Sequence, residues 1–469
     1  MSPRGAASDL AHRVADLVKT TGTWDVVGER STQFEVHLNG TSIELERGPI
    51  TTEGYGLRLF VPRGAGMGIG FQASTDLSRE GVRAVLADAE ASSRHSEFPA
   101  RSVDLPSGNG HPPDVPVLDP ALWKDPAGTL RTYVDALLRP FHGRKGTVPT
   151  FGSVKATLTE LSFANSAGLH ASYPSTAVEL ELGVKAFGGP EGAPPGEFWV
   201  TQEGRRLEPE RIGPSVEDWC RYAADVRRAQ SPPNGDQAVI LPPDVLSGIL
   251  PLVVGFRFSG AARLRKVAPE VGSTIGASQL TLRDQGDHPW GALSGPYDDE
   301  GAPRGSQALV ERGAVTNLVY DALYASAFST RSSGGAARAG RGLTSNLHFI
   351  YRPGPRASTL VVDAGDGGSL EELVEATRDG ILVTQFGWAN PDPISGSFGG
   401  EIRIGYRIRA GKLAEPIRGG TVGGMVVAPA GSPSLLANTE AIGNRPELAD
   451  HLVAAPLLVR PLSVAGSAP

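Results

Sequence analysis

The run from Ser247 to Phe258, Ser-Gly-Ile-Leu-Pro-Leu-Val-Val-Gly-Phe-Arg-Phe, constrains this chain more than any other stretch. A strand-like segment, Gln237 to Leu241, precedes it. Pro242-Pro243-Asp244 then suits a helix N-terminus, because proline fits the first turn. Apolar residues run nearly all round the segment, which predicts a buried helix rather than an amphipathic one. It holds no histidine, cysteine or carboxylate, so it can neither ligate a metal ion nor act as a general base. Any chemistry must come from elsewhere.

A chain of 469 residues exceeds one hydrophobic core, so two or three domains are expected. With 60 glycines, 38 prolines and an aromatic share of 6%, turns and short strands are favoured over long helices. The net charge of −7, from 51 acidic against 44 basic residues, gives no general reason to expect nucleic-acid binding. Cys220 is the sole cysteine, which excludes an intrachain disulfide and a thiolate cluster. Met1 to Ser8 lacks the apolar core of a signal peptide, and no apolar run is long enough to span a bilayer. A cytoplasmic location without membrane contact is the expectation.

Periodicity predicts an α+β fold. Leu10, Val14, Leu17 and Val18 share a helical face, and alternation follows through Phe34-Val36-Leu38, Ile43-Leu45 and Leu57-Leu59-Val61. Gly40, Gly48, Gly54 and the Gly64–Gly70 cluster read as hairpin turns. Asp76 or Ser78 then caps a helix with Val82, Val85, Leu86 and Ala89 on its core face. This gives an N-terminal α+β domain over 1–98 and a Pro/Gly/Ser-rich linker over 99–119. A middle α+β domain over 120–230 has helices around Leu130–Leu137 and Val216–Arg228, strands between them, and a Gly188–Pro195 loop read as mobile. Residues 236–469 read as a mainly β domain, a curled sheet or barrel, with strands at Leu280–Leu282, Ala314–Asp321 and Ile402–Arg409.

Several stretches, in order along the chain, resemble the TldD/PmbA family, the "modulator of DNA gyrase" proteins related to zinc metallopeptidases. They include Gly56-Leu57-Arg58-Leu59-Phe60, Gly70 to Leu77, Asn165-Ser166-Ala167-Gly168, Leu280 to Asp284 and Tyr297 to Pro303. Leu309 to Val315, Asp321 to Ala325, Ser345-Asn346-Leu347, Ile394 to Phe398, Pro416 to Thr421 and Pro456 to Val459 complete the set. The resemblance implies paired subunits, of which the TldD type carries His-Glu-x-x-x-His and binds zinc. Set against that motif, the positions are Pro251, Leu252 and Phe256. The chain also reaches Pro456-Leu457-Leu458 without the cysteine-containing segment of catalytic members. Both departures resemble the PmbA/TldE type, which implies a non-catalytic subunit with no cofactor of its own. Zinc, the activated water and the glutamate base would then belong to a TldD-type partner, and the pair would hydrolyse a peptide or small amide.

The other candidates have bland readings beside functional ones. None of the nine histidines has another within five residues, although a dispersed set such as His170, His288 and His348 is conceivable. Asp298 and Asp299, in Tyr297-Asp298-Asp299-Glu300-Gly301, form a cation site or base on one reading and a capped turn on the preferred one. Ser332 to Gly342 lacks the ending of a phosphate-binding loop; it reads as a cleft loop offering Arg338 and Arg341 to a substrate carboxylate. Ser395, Ser397 and Phe398 mark a close backbone approach, by an added peptide strand or by a bulge. Arg257, Arg263, Arg265 and Lys266 read as a solvated helix end. A stand-alone metal-dependent amidohydrolase, or a binding module for a topoisomerase or toxin, are the alternatives to the subunit reading.

Overall fold

The computed structural model describes residues 9–188, 194–338 and 347–466. Its first half is one antiparallel sheet made of two meanders: β1 (Thr23–Asn39), β2 (Ser42–Arg63), β3 (Gly66–Ser74), then β4 (Thr147–Asn165), β5 (His170–Ala186) and β6 (Gly196–Gly204). The spatial order is β3-β2-β1-β4-β5-β6. The helix-and-sheet units read over 1–98 and 120–230 thus share a single curled sheet, because β1 pairs with β4 from Asp25↔Asn165 to Asn39↔Phe151. Gly40 and Gly64 do turn the chain, whereas Gly48 and Gly54 lie inside the long β2. Most of the loop read at Gly188–Pro195 lies outside the described residues.

Five helices pack on one face of this sheet: α1 (Leu10–Ala15), α2 (Arg79–Ser93), α3 (Pro120–Lys124), α4 (Pro126–Leu138) and α5 (Pro209–Val226). Ser78 starts α2 by accepting the Gly81 N–H at 3.0 Å, and Val82, Val85, Leu86 and Ala89 meet Val26, Leu57 and Leu59. Trp219, Cys220, Ala223 and Val226 of α5 join Leu130, Val134 and Leu137 of α4 over Val154 and Leu180. The 99–119 stretch has no regular structure but is anchored, with Val115 and Val117 buried and Val117 O accepting the Thr176 N–H at 3.0 Å.

Side chains alternate across a strand, so the opposite face receives Asp25, Val27 and Glu29 from β1 and Arg58 and Phe60 from β2. The C-terminal half docks there, Phe349 against Val27 and Leu323 against Phe60. Glycine makes the approach possible. A Cβ on Gly54 would stand 2.3 Å from the Phe349 ring, and one on Gly56 would stand 2.3 Å from Phe349 O.

In the C-terminal half, strands Gly235–Leu241, Gly380–Phe386, Ser397–Arg409, Thr421–Met425 and Leu457–Ala465 close into a five-stranded barrel. A second six-stranded sheet, with Leu282–Gln285 and Ser306–Glu311 among its strands, shares the barrel's core. The α+β class and the barrel-like C-terminal region are as the sequence suggested. The Ser247–Phe258 run is not one helix. Gly248 and Ile249 separate α6 (Pro243–Ser247) from α7 (Leu250–Arg257), with Pro251 in the first turn of α7, and α8 (Gly260–Leu264) follows. Nor is it buried all round: Leu250, Val253, Val254 and Phe258 enter the core, but Leu252 is 42% exposed and Phe256 half-buried. Residues four apart share a helix face, so 252 and 256 look away from the core together. Ala314–Asp321, read as one strand, is strand only at Ala314–Val315, and Asp321 caps α9 (Ala322–Ala327).

Gly56→Ala must displace the backbone at Phe349 and should lower unfolding stability by about 1–3 kcal/mol. Gly305, just before the strand Ser306–Glu311, has nothing within 4 Å of a built Cβ and lies outside the left-handed region, so Gly305→Ala should raise stability by about 0.4–1 kcal/mol. Urea unfolding of the two variants checks both signs.

Candidate functional site

Asp25 of β1 and Arg58 of β2 are register partners on the face that meets the C-terminal half. The Arg58 side chain is wholly buried. Its Nε donates to Asp25 at 3.0 Å, its Nη2 donates to the same carboxylate, and Nη2 also donates to Glu300 Oε1 at 2.5 Å. Burial works against this charge, but Asp25 and Glu300 outweigh it and hold the guanidinium pKa above its usual value. The other Glu300 oxygen accepts the Ala322 N–H at 2.8 Å, fixing the start of α9.

The carboxylates read from the sequence lie beside this pair. Asp298 is fully buried and its Oδ1 accepts the N–H groups of Glu300 at 2.9 Å and Ala302 at 2.8 Å, while Oδ2 accepts that of Ala336 at 3.1 Å. This is the capped turn, with Gly301 at φ +82° and a Cβ excluded there by Leu169 Cδ2 at 2.2 Å. Burial, then the neighbouring Glu300, push the Asp298 carboxyl up to about 7. Asp299 Oδ2 accepts the Arg338 N–H at 2.5 Å. Asp321 accepts the Tyr324 N–H at 2.7 Å through Oδ1, but its buried Oδ2 has no partner. Burial followed by the charge of Glu300 raises its pKa well above the ordinary range, even with Arg58 nearby.

Arg338, expected in a cleft loop, is buried instead. Its Nη1 donates to Tyr351 O at 2.7 Å, its Nε to Asp299 O at 3.3 Å, and Nη2 stands 3.6 Å from Asp25. Burial lowers its pKa to about 10 despite Asp25. A guanidinium held this way cements the two halves and is not free to meet a substrate carboxylate. Arg341 lies outside the described residues.

The remaining candidates gather at the exposed side of α7. Asp392 N donates to Ser397 O at 2.8 Å and closes a turn in which the exposed Ser395 hydroxyl meets that of Ser397 at 2.8 Å. Arg257 ties this turn to α7 by donating to Ile394 O at 2.7 Å. Phe398, by contrast, faces inward and belongs to the barrel core. Trp388, 70% exposed, was not singled out by the sequence; nothing in a lone tryptophan before Ala-Asn-Pro marks it as surface. It helps line a cleft of about 590 Å³ with Glu197, Glu401, Arg403 and Arg418, between the β6 region and the barrel. Pro251, Leu252 and Phe256 of α7 offer no donor atom. Among the described residues, no three histidine, cysteine or acidic side chains are disposed to hold a metal ion. Nor is any described helix long and apolar enough to cross a membrane.

Residues 234–466 match the family model for the PmbA/TldA metallopeptidase C-terminal domain. The chain belongs to the TldD/PmbA family. A metalloprotease TldD homolog of Haemophilus influenzae is 24% identical over 155 residues, 33% of this chain and 30% of that protein. A metalloprotease of Methanothermobacter thermautotrophicus is 24% identical over 310 residues, 64% of this chain and 63% of that one. The chain thus spans less than a third of the TldD homolog it matches. Among solved structures, TldE from Thermococcus kodakarensis superposes with a TM-score of 0.75 at 20% identity, covering 98% of this chain and 99% of that one. A Thermotoga maritima protein described as a modulator of a DNA gyrase gives 0.77 at 18% identity, over 97% and 99% of the two chains. At these identities the likeness shows the TldD/PmbA fold and no more.

Asp321 supplies a test of the buried cluster. A carboxyl whose pKa is raised by folding binds its proton more tightly in the folded chain, so it costs stability above the unfolded value of about 3.9. Asp321→Asn keeps the accepting oxygen and removes the charge. Near pH 8 this variant should be more stable than wild type, by about 1.4 kcal/mol per unit of displacement. The gain should vanish below about pH 4, where both states of the wild type are protonated. Denaturant unfolding at the two pH values reads the difference.

Proposed function

We propose that this chain is a non-catalytic, PmbA/TldE-type subunit that pairs with a zinc-bearing TldD-type chain in a peptidase or small-amide hydrolase. The observation that carries the reading is the composition of α7, in which Pro251 is buried while Leu252 and Phe256 face outward. The residues standing where the motif of zinc-binding members would stand are Pro251, Leu252 and Phe256, and none can ligate or exchange a proton. The donors for a zinc ion do not fit here, so no step on a metal is assigned to this chain. Its contribution is a wall. Leu252 and Phe256 present apolar surface beside the Ser395–Ser397 turn, where Arg257 holds the backbone in place. Such a surface can exclude water from a bound substrate and orient it, while the partner acts on the amide.

The chain purified alone should bind less than about a tenth of an equivalent of zinc and cleave no peptide. Mixed with a TldD-type subunit, it should restore hydrolysis and co-elute with it. Stoichiometric zinc with activity in the isolated chain would replace this reading by a stand-alone hydrolase. Tight binding to a topoisomerase without processing would replace it by a binding module.

A further inference from the structure

The chain as a whole is acidic, at −7, yet the α7–α8 face gathers Arg257, Arg263, Arg265, Lys266 and Arg352. The fold brings them together. Ser259 links α7 to α8 by capping it, accepting the Ala262 N–H at 3.2 Å, and Gly260 N donates to Val319 O at 2.9 Å, seating α8 beside α9. Arg265 and Arg352 both lie within electrostatic reach of Tyr324 on α9. Among the described residues, none of these five cations has a carboxylate within ion-pair distance. The acids around them are Asp392, felt by Arg257, Asp321, which acts on the same Tyr324 as Arg265 and Arg352, and Glu270, which shares a groove of about 480 Å³ with Arg263, Lys266 and Val271.

Five cations against three acids leave a positive excess that an anion would balance. The same face exposes Leu252, Leu264 and Val271 between the cations. Two of its rings are already covered: Arg265 lies over Phe256 at 5.6 Å, and Arg263 over Phe328 at 4.3 Å while donating to Tyr320 OH at 2.7 Å. Nucleic-acid bases would find little to stack on beyond the partly exposed Tyr351. Carboxylates would find guanidinium forks, and short apolar side chains would find Leu252, Leu264 and Val271.

We infer that the α7–α8 face binds an acidic peptide segment carrying interspersed apolar residues. This rests on the reading of α7 as a wall of the substrate site and names the class of peptide that wall meets. The binding is read without partner or zinc, so its failure leaves the subunit assignment standing.

The experiment is fluorescence anisotropy of the full chain with a labelled Glu/Leu peptide, a Lys/Leu peptide of equal length and a single-stranded oligonucleotide. The acidic peptide should bind tightest and weaken about tenfold or more between roughly 50 and 300 mM salt. Arg265→Glu with Lys266→Glu should weaken it by about tenfold or more, with melting temperature unchanged, and Arg352→Glu should weaken it in the same direction. Arg83→Glu, on the exposed side of α2, should leave it unaltered. Equal affinity for the acidic and basic peptides, preference for the oligonucleotide, or indifference to the double reversal would overturn the inference.

Discussion

A guanidinium sealed from water between two carboxylates is the interaction on which this structure turns. Arg58 reaches from β2 to Asp25 on its own sheet and to Glu300 on the C-terminal half, and no part of its side chain meets solvent. Isolated, each of these charges would be costly to bury; together they make an arrangement that tolerates little displacement. Glu300 passes the constraint on to α9, and Asp25 shares in holding Arg338 beside the turn at Asp298 and Asp299. The half-barrel sheet and the closed barrel are therefore locked in one orientation by polar contacts as well as by the Phe349 and Leu323 packing.

That orientation leaves α7 on the rim of the C-terminal core. Its inner side, Pro251 included, fills the barrel's core, and its outer side carries the apolar groups of Leu252 and Phe256. On the reading proposed above, this chain supplies shape and charge and a partner supplies the reactive centre. The unpaired cations beside α7 extend the same theme, since recognition needs fixed positive groups and none of them needs a pKa suited to proton transfer.

Much of the fold was legible in local pattern. The α2 face of Val82, Val85, Leu86 and Ala89 and the α4 and α5 faces follow directly from helical spacing, and Ser78 from capping chemistry. What pattern could not show was pairing at long range. Nothing local says that β1 pairs with β4 more than a hundred residues away, so one sheet read as two. The Ser247–Phe258 run misled because Gly248 and Pro251 weigh less in a count of apolar residues than they do in breaking a helix. The site was harder still. Arg58 sits in Gly-Leu-Arg-Leu-Phe, where alternation alone puts it on a solvent face; only the docking of a segment some 240 residues later makes that face interior. Arg338 is the converse, an arginine in a Gly/Ala-rich stretch that composition assigns to a loop and that Asp299 and Tyr351 hold in place.

The most direct measurement of the central claim is a double-mutant cycle across the seam, with Arg58→Met, Glu300→Gln and the pair compared by urea unfolding. If the guanidinium joins the two halves, the single changes should each be severe and the pair far less than additive, with a coupling of about 1.5 kcal/mol or more and one cooperative transition in wild type. Additive effects within about 0.5 kcal/mol, or halves that unfold in separate transitions, would contradict it.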